Sequence, residues 1–107
     1  MHSGLSNEAF ELIARRFKTL SDPSRLKILN TLGSEEMNVN DIAEATGLRQ
    51  SSVSRHLAEL LASGIVSRRR DGLNAYYRVT DGTIFAICDL VCSRLRTQYE
   101  NHRDSFG

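Results

Sequence analysis

The sequence has 107 residues, a length that suits one globular domain. Hydrophobic residues make up 40% and charged residues 25%, which is the balance of an ordinary soluble protein and not of a disordered chain. The formal net charge is only +1, so the whole chain is not polybasic, but Arg68, Arg69, Arg70 and Arg78 lie close together. Such a local basic patch can bind a polyanion without a high overall charge.

The sequence shows neither a run long and apolar enough to cross a bilayer nor the pattern of a signal peptide. We therefore expect a cytoplasmic protein. Its two cysteines, Cys88 and Cys92, are too few for the disulfide framework of a small secreted domain. Because a single core of this size is only marginally stable, a dimer is physically reasonable.

Two helices are predicted at the start of the chain. Residues 1–5 are expected to form a flexible N-terminus, after which Ser6 can cap a helix whose apolar residues recur every three or four positions up to Leu20. In "SDPSRLKILNTLG", Asp22 is the predicted N-cap of the second helix, Pro23 suits its first position, and the closing glycine ends it.

A short helix and a longer one follow, joined by a glycine. The segment "NVNDIAEATG" predicts the short third helix, with Asn40 as its N-cap and Gly47 at its end. In "GLRQSSVSRHLAELLASGIV", residues 47–66, a fourth helix is predicted that stops at Gly64. Its buried stripe is Val53, Leu57, Leu60 and Leu61. Two helices joined by a tight glycine turn form the helix-turn-helix pattern.

After the fourth helix, the spacing of apolar residues changes from a helical repeat to the alternation of β-strands. A two-stranded hairpin is predicted, with strands over roughly 65–70 and 75–79 around the turn at Asp71-Gly72. A last helix is predicted over roughly 81–102, capped by Asp81. Its apolar side is Ile84, Ile87, Cys88, Val91, Cys92, Leu95 and Tyr99. The pattern indicates one domain over 6–102, mainly α with a small β-hairpin, and a tail over 103–107.

The first turns of the fourth helix are unusually rich in small hydrogen-bonding side chains. A recognition helix enters the major groove of DNA with its N-terminal residues against the base edges. Glutamine can pair with adenine, arginine with guanine, and serine with bases or phosphates. The candidate DNA-reading residues are Gln50, Ser51, Ser52, Ser54, Arg55 and His56. The competing interpretation is a surface helix whose serines only cap it.

The arginine run of the hairpin fits the same picture, because a basic hairpin beside a recognition helix can lie along phosphates or in the minor groove. Arg68 and Arg70 fall on one face of the predicted strand and Arg69 on the other, so we do not expect the same role for all three. The alternative is a solvated edge strand whose charges prevent aggregation.

The segments "FKTLSDPSRLKILNTL", residues 17–32, and "GLRQSSVSRHLAELLASGIVSRRRDGLNAYYRV", residues 47–79, resemble the ArsR/SmtB type of winged-helix repressor. The resemblance covers about residues 6–102. It implies a winged helix-turn-helix that forms a homodimer through its first and last helices and represses an operon until an effector binds. It also implies that the polar residues at the tip of the fourth helix read palindromic operator DNA.

One departure from the family pattern is Arg49, which stands where many members have a capping serine. Losing that cap costs roughly 1 kcal/mol. The arginine instead places a cation where it can meet a phosphate. We expect Ser51 to take over the capping, with a small shift of the helix start.

The metal sites that the resemblance implies are largely missing. Asn38-Val39-Asn40 stands in place of a Cys-Val-Cys pattern, and Thr83 stands where a histidine would follow Asp81. Amides are poor ligands for soft metals. A zinc or cobalt site of either type is therefore not expected.

Cys88 and Cys92 remain as candidate effector residues, because residues four apart lie on one face of a helix. Two such thiols can bind a thiophilic ion such as As(III), Sb(III), Cu(I) or Zn(II), or can be oxidised or persulfidated. His102, on the same face, is a possible third ligand from the partner chain. The alternative, of similar weight, is that both cysteines are small core residues.

Two functions are compatible with these patterns. The first is a dimeric DNA-binding repressor released by a thiol-directed effector, or one that works without an effector. The second is a winged helix that binds another protein, since the fold alone does not decide between them. No carboxylate pair, phosphate loop or nucleophile–base set is visible, so an enzyme is not expected.

Overall fold

The computed structural model describes residues 4–100, and within them it confirms the predicted order of elements. The helices are α1 (Asn7–Leu20), α2 (Pro23–Leu32), α3 (Val39–Thr46), α4 (Gln50–Ala62) and α5 (Thr83–Gln98). The strands β1 (Val66–Asp71) and β2 (Asn74–Val79) form one antiparallel hairpin between α4 and α5. None of the helices in this part of the chain is long and apolar enough to span a membrane.

Two predicted N-caps, Ser6 and Asp22, are confirmed. The Ser6 hydroxyl accepts a hydrogen bond from the Ala9 backbone N–H at 3.1 Å. The Asp22 carboxylate accepts from the backbone N–H groups of Ser24 and Arg25, and Pro23 occupies the first position of α2. Each side chain satisfies N–H groups that have no partner inside the helix, which fixes where α1 and α2 begin.

Asn40 is not the N-cap of α3, so that prediction was wrong. Asn38 holds the position, and its side-chain oxygen accepts from the Asp41 backbone N–H at 2.8 Å. The reason is a β-bridge just before it, in which Met37 and Tyr77 exchange two backbone hydrogen bonds of 3.1 and 2.9 Å. Because residue 37 is extended and paired, the first residue free to cap is 38.

The bounds of the later elements also differ from the predicted ones. Strand β1 starts one residue later than predicted, because Ile65 is buried outside the sheet and accepts the Thr80 backbone N–H at 2.9 Å. Strand β2 starts one residue earlier than predicted, at Asn74, which pairs with Asp71. The predicted helix over 81–102 begins at Thr83 and ends at Gln98, where Tyr99 leaves the helical conformation with φ −111° and ψ 24°. Residues 101–107, and with them the predicted tail, lie outside the described residues.

The core lies between α2, α3, α4 and the base of the hairpin. Its fully buried side chains include Ile28 of α2, Ile42 of α3, Leu57 of α4 and Ile84 of α5. Helix α5 contributes only Ile84 to the buried set, although its sequence carries a long apolar stripe. The rest of that stripe is half-buried or exposed in the single chain.

Candidate nucleic-acid interface

The first turns of α4 project polar side chains from a well-anchored base. Val53 and Leu57 are completely buried and hold the helix against the core. Most of the predicted DNA-reading residues face solvent, and Ser52 is half-buried. The exposed members are Gln50, Ser51, Ser54 and Arg55. The helix thus presents hydrogen-bonding groups on a rigid support, as a reader of base edges needs. We call Arg49, Gln50, Ser51, Ser52, Ser54 and Arg55 the α4 tip.

The start of α4 carries no side-chain cap. Arg49 occupies the N-cap position with an extended backbone, φ −67° and ψ 146°, and its side chain makes no capping hydrogen bond. The predicted takeover by Ser51 is wrong, because Ser51 lies inside the first turn. The first N–H groups of α4 therefore remain available to an anion, and Arg49 adds an exposed positive charge beside them.

His56 does not join this surface, which corrects its prediction as a base reader. Its side chain is buried, with 6% exposure, and its Nδ1 accepts a hydrogen bond from Arg25 Nε at 3.2 Å. Arg25 also donates through Nη1 to the Thr19 carbonyl at 3.3 Å. His56 therefore joins α4 to α2 and the end of α1, and it supports the helix that carries the tip.

The prediction that Arg69 differs from its neighbours is confirmed by its contacts. Its guanidinium donates two hydrogen bonds of 3.1 Å to the Glu36 carboxylate and lies 4.9 Å from the centre of the Tyr76 ring. This hydrogen-bonded pairing lowers the pKa of Glu36 and raises that of Arg69. Arg69 thus ties the hairpin to the segment before α3, and much of its charge is neutralised.

Arg68 and Arg70 lie on the opposite face from Arg69. Both are exposed, and neither makes a hydrogen bond or ion pair within residues 4–100. Arg78 of β2, which is opposite Ser67 in the sheet, is also exposed. Arg68 and Arg70 therefore offer unpaired guanidinium groups to a polyanion, whereas the guanidinium of Arg69 is already paired.

A second site-like feature is an apolar groove of about 360 Å³ between α1, α2 and α5. Its lining includes both cysteines and is otherwise entirely apolar: Phe17, Leu20, Leu26, Ile87, Cys88, Val91, Cys92 and Leu95. Both cysteines are free thiols and half-buried. We call this feature the thiol groove.

The electrostatics of the thiol groove favour a neutral Cys88. Partial burial, and to a smaller extent the nearby Asp89 carboxylate, raise the pKa of the Cys88 thiol. A protonated thiol is a weak nucleophile, so oxidation at Cys88 is slowed relative to an exposed thiolate. Within residues 4–100 no cluster of three or more His, Cys, Asp or Glu side chains could hold a metal ion, and His102 lies outside them.

Residues 22–68 match the model of a family described as bacterial regulatory protein, arsR family. The SmtB homolog of Synechocystis, named a transcriptional repressor, is 33% identical over 92 residues, which are 86% of this chain and 70% of that protein. The chain belongs to the ArsR family. Across three curated relatives, the matches cover 66%, 52% and 70% of the relatives' own lengths.

Solved structures support the same fold for this ArsR-family chain. A homodimeric winged helix-turn-helix DNA-binding domain from Mycobacterium bovis, a possible ArsR-family regulator, superposes with a TM-score of 0.75 at 32% identity, covering 90% of this chain and 95% of that one. The AntR antimony-specific transcriptional repressor superposes with a TM-score of 0.80 at 25% identity, covering 92% and 90%. The winged helix-turn-helix is therefore the fold of this chain.

Sequence patterns had not pointed to Arg25 and Glu36 as residues of this ArsR-family site. Arg25 stands in the "SDPSRLKILNTLG" segment and Glu36 just before "NVNDIAEATG", and no motif marks either residue. Their partners, His56 and Arg69, lie 31 and 33 positions away. Pairings of that separation depend on how the elements pack, and no local pattern encodes them.

Proposed function

We propose that this ArsR-family protein is a sequence-specific DNA-binding transcriptional regulator, and that it acts as a repressor. The observation that carries the proposal is the α4 tip: exposed hydrogen-bonding side chains standing on the completely buried Val53 and Leu57. In the proposed complex, Gln50 and Arg55 contact base edges, and the serines contact bases or phosphates. Arg49, Arg68 and Arg70 contact phosphates. The name of the M. bovis domain, a DNA-binding one, supports this assignment.

We propose that the working form is a homodimer built from α1 and α5. Both helices leave large apolar side chains exposed, among them Phe10, Phe17, Leu90 and Val91. A soluble monomer rarely exposes a large contiguous apolar patch. A two-fold dimer would cover these side chains and place two α4 tips on one side of the assembly, so its operator would be palindromic. The M. bovis domain is described as homodimeric, which supports this arrangement.

The α4 tip can be tested by removing one guanidinium. Arg55→Ala is expected to reduce affinity for a duplex that the protein selects from a random library by about 1–3 kcal/mol, because a bidentate arginine contact to guanine contributes that much. Arg15→Ala is the matched control, since Arg15 lies beside Ala62 and Ser63 at the far end of α4. The measurement is fluorescence anisotropy with the selected and a scrambled duplex.

The two variants separate specific binding from general charge attraction. Arg55→Ala should lose discrimination between the two duplexes, while Arg15→Ala should keep it. Equal affinity of the wild type and Arg55→Ala for the selected duplex would remove Arg55 from the set of base readers. If the wild type itself does not distinguish the duplexes at any salt concentration, the proposed function fails.

We further propose that an effector acting at Cys88 and Cys92 releases the DNA. The two thiols are one helical turn apart, and both line the thiol groove. That position, between α1 and α5, lies where the proposed dimer would form, so a group bound there would alter the spacing of the two tips. As(III) or Sb(III) fits best, because a soft ion displaces the thiol proton. The name of the antimony-specific AntR repressor supports this choice.

The effector proposal predicts that Cys88→Ser and Cys92→Ser each keep DNA affinity but no longer release DNA on addition of arsenite or antimonite. Serine is nearly the same size as cysteine but binds soft ions poorly. DNA release is measured by anisotropy, and native mass spectrometry detects the adduct on wild-type protein. If the double variant still releases DNA with the same ion, the cysteines are packing residues only.

A further inference from the structure

The tip of the hairpin carries a leucine with no packing partner. Leu73 is 102% exposed, which equals its exposure in an extended peptide. The other large hydrophobic side chains exposed within residues 4–100 lie on α1, on α2, or on and just after α5: Phe10, Leu12, Phe17, Leu26, Leu90, Val91 and Tyr99. Leu73 is therefore separate from the apolar surface that the proposed dimer would cover.

The turn holds this leucine at a defined point. Asp71 is paired with Asn74, so Gly72 and Leu73 form a two-residue loop. Gly72 has a φ of +64°, whereas Leu73 does not have a positive φ. A glycine with positive φ followed by a residue with negative φ is the pattern of a type II′ turn, which suits the twist of a hairpin. The tight turn places Leu73 at the apex of the hairpin.

The base of the hairpin is fixed to the helix-turn-helix. Met37 and Tyr77 exchange two backbone hydrogen bonds next to the start of α3. The Arg69–Glu36 ion pair adds a second attachment, from a side chain of β1. The first residue of β1 also lies only four residues after the end of α4. The apex is therefore carried at a set position relative to the α4 tip.

The hairpin carries positive charge beside its apolar apex. Arg68 and Arg70 are exposed along β1 and lack partners in the described part of the chain. Free guanidinium groups flanking an apolar apex match the requirements of the minor groove, whose negative potential attracts arginine. Leucine is one of the apolar side chains that enter between base pairs and partly unstack them.

We propose that Leu73 is a wedge that enters the minor groove beside the bases read by α4, with Arg68 and Arg70 on the flanking phosphates. This assignment rests on the proposed DNA-binding function. It makes the hairpin a source of sequence preference, because steps that unstack easily, such as TA and CA/TG, are favoured where the wedge enters. One isolated leucine suffices for a wedge, whereas a protein interface or a membrane needs a larger apolar area.

The test uses a duplex selected by the wild-type protein from a random library, with 2-aminopurine placed in turn at each step flanking the bases protected by α4. Wild-type protein is expected to raise the fluorescence at one step in each half-site. Leu73→Ala, which keeps the turn, should abolish that rise and weaken binding about 3- to 10-fold with an unchanged salt dependence. Leu73→Met should restore the signal.

Arg70→Ala is the matched control, since it removes a charge from the same hairpin. It should keep the fluorescence rise and make the log–log salt slope less steep by about 0.9, as expected for one lost phosphate contact. If the wild type selects a duplex but no step unstacks and Leu73→Ala binds equally well, the wedge is overturned while the proposed function stands.

Two other outcomes also overturn the wedge. If the wild type enriches no sequence at all, the proposed function fails and the wedge fails with it. If vesicles of phosphatidylserine and phosphatidylcholine bind the wild type but not Leu73→Ala, and the DNA signals are the same for both proteins, the apex is a membrane contact.

Discussion

His56 shows how one residue can look like a DNA contact and act as a support. It follows Arg55 in the run of polar residues, but it faces inward and accepts a hydrogen bond from Arg25. The helical repeat explains the difference, because His56 lies three residues after Val53 and therefore shares its buried face. A pattern of residue types placed it with the readers, and the period of the helix places it with the core.

The support role gives a stability prediction. His56→Ala leaves a cavity and an unpaired Arg25 Nε, so the free energy of unfolding is expected to fall by about 1–3 kcal/mol. Arg55→Ala, at the adjacent exposed position, should change it by less than about 0.5 kcal/mol. Urea denaturation followed by circular dichroism measures both. Equal stability of His56→Ala and the wild type would mean that the contact with Arg25 is not needed.

Most of the α4 tip was predictable from residue types, since Gln50, Ser51, Ser54 and Arg55 are exposed as a reading surface requires. The residue at the N-cap of α4 was not predictable in this way. Serine is a preferred cap in general, so Ser51 was favoured over Arg49, but the turn after Gly47 places residue 49 at the cap position. Backbone geometry set by the preceding turn outweighed side-chain preference.

At the scale of elements, Arg16 of α1 joins the end of α4 to the start of α5. Its guanidinium is paired with the Asp81 carboxylate and donates to the Ser63 carbonyl at 3.1 Å. Asp81 also accepts hydrogen bonds from the side chain and backbone of Thr83. Gly82, not Asp81, occupies the N-cap position of α5, so the predicted cap was wrong. Asp81 instead joins Arg16 of α1 to the start of α5.

These contacts predict an acid sensitivity. The hydrogen bond from the Thr83 hydroxyl is the main cause that holds the pKa of the Asp81 carboxyl below its usual range, and Arg16 acts in the same direction. Because the folded pKa is lowered, the contribution of Asp81 to stability is complete above its unfolded pKa and is lost as pH falls through the folded value. Asp81→Asn should therefore cost about 1 kcal/mol at pH 7 and progressively less below about pH 4.

The comparison needs a control that removes an equal charge from an exposed position. Asp89→Asn serves, because Asp89 is exposed on α5. The free energy of unfolding of each variant relative to wild type is measured by urea denaturation between pH 3 and pH 7. A cost of Asp81→Asn that does not change across this range would show that the carboxylate charge contributes nothing.

Element order was predictable because each helix and strand has its own period of apolar residues. The residues at which the elements begin and end were less predictable. The cap of α3 moved to Asn38 because of the Met37–Tyr77 bridge, and the start of β1 moved to Val66 because Ile65 packs in the core. Both shifts come from contacts between elements distant in sequence, which propensities and local patterns do not contain.

At the scale of the whole molecule, the apolar stripe of α5 is the feature that a single chain does not bury. Its sequence predicted a buried side, yet only Ile84 is buried, while Val91 and, just after the helix, Tyr99 are exposed. The thiol groove lies along the same stripe. A partner chain on α1 and α5 would account for both, and it would make the spacing of the two α4 tips a property of the dimer.

The central claim is that a dimer places two α4 tips on a palindromic DNA site. The most direct measurement is selection from a random duplex library with the wild-type protein, followed by footprinting of the enriched sequence. We predict an inverted repeat whose half-sites are centred about 10–10.5 bp apart, or a multiple of that spacing, on one side of the DNA. An enriched site with a single half, or no enriched sequence at all, would contradict this account.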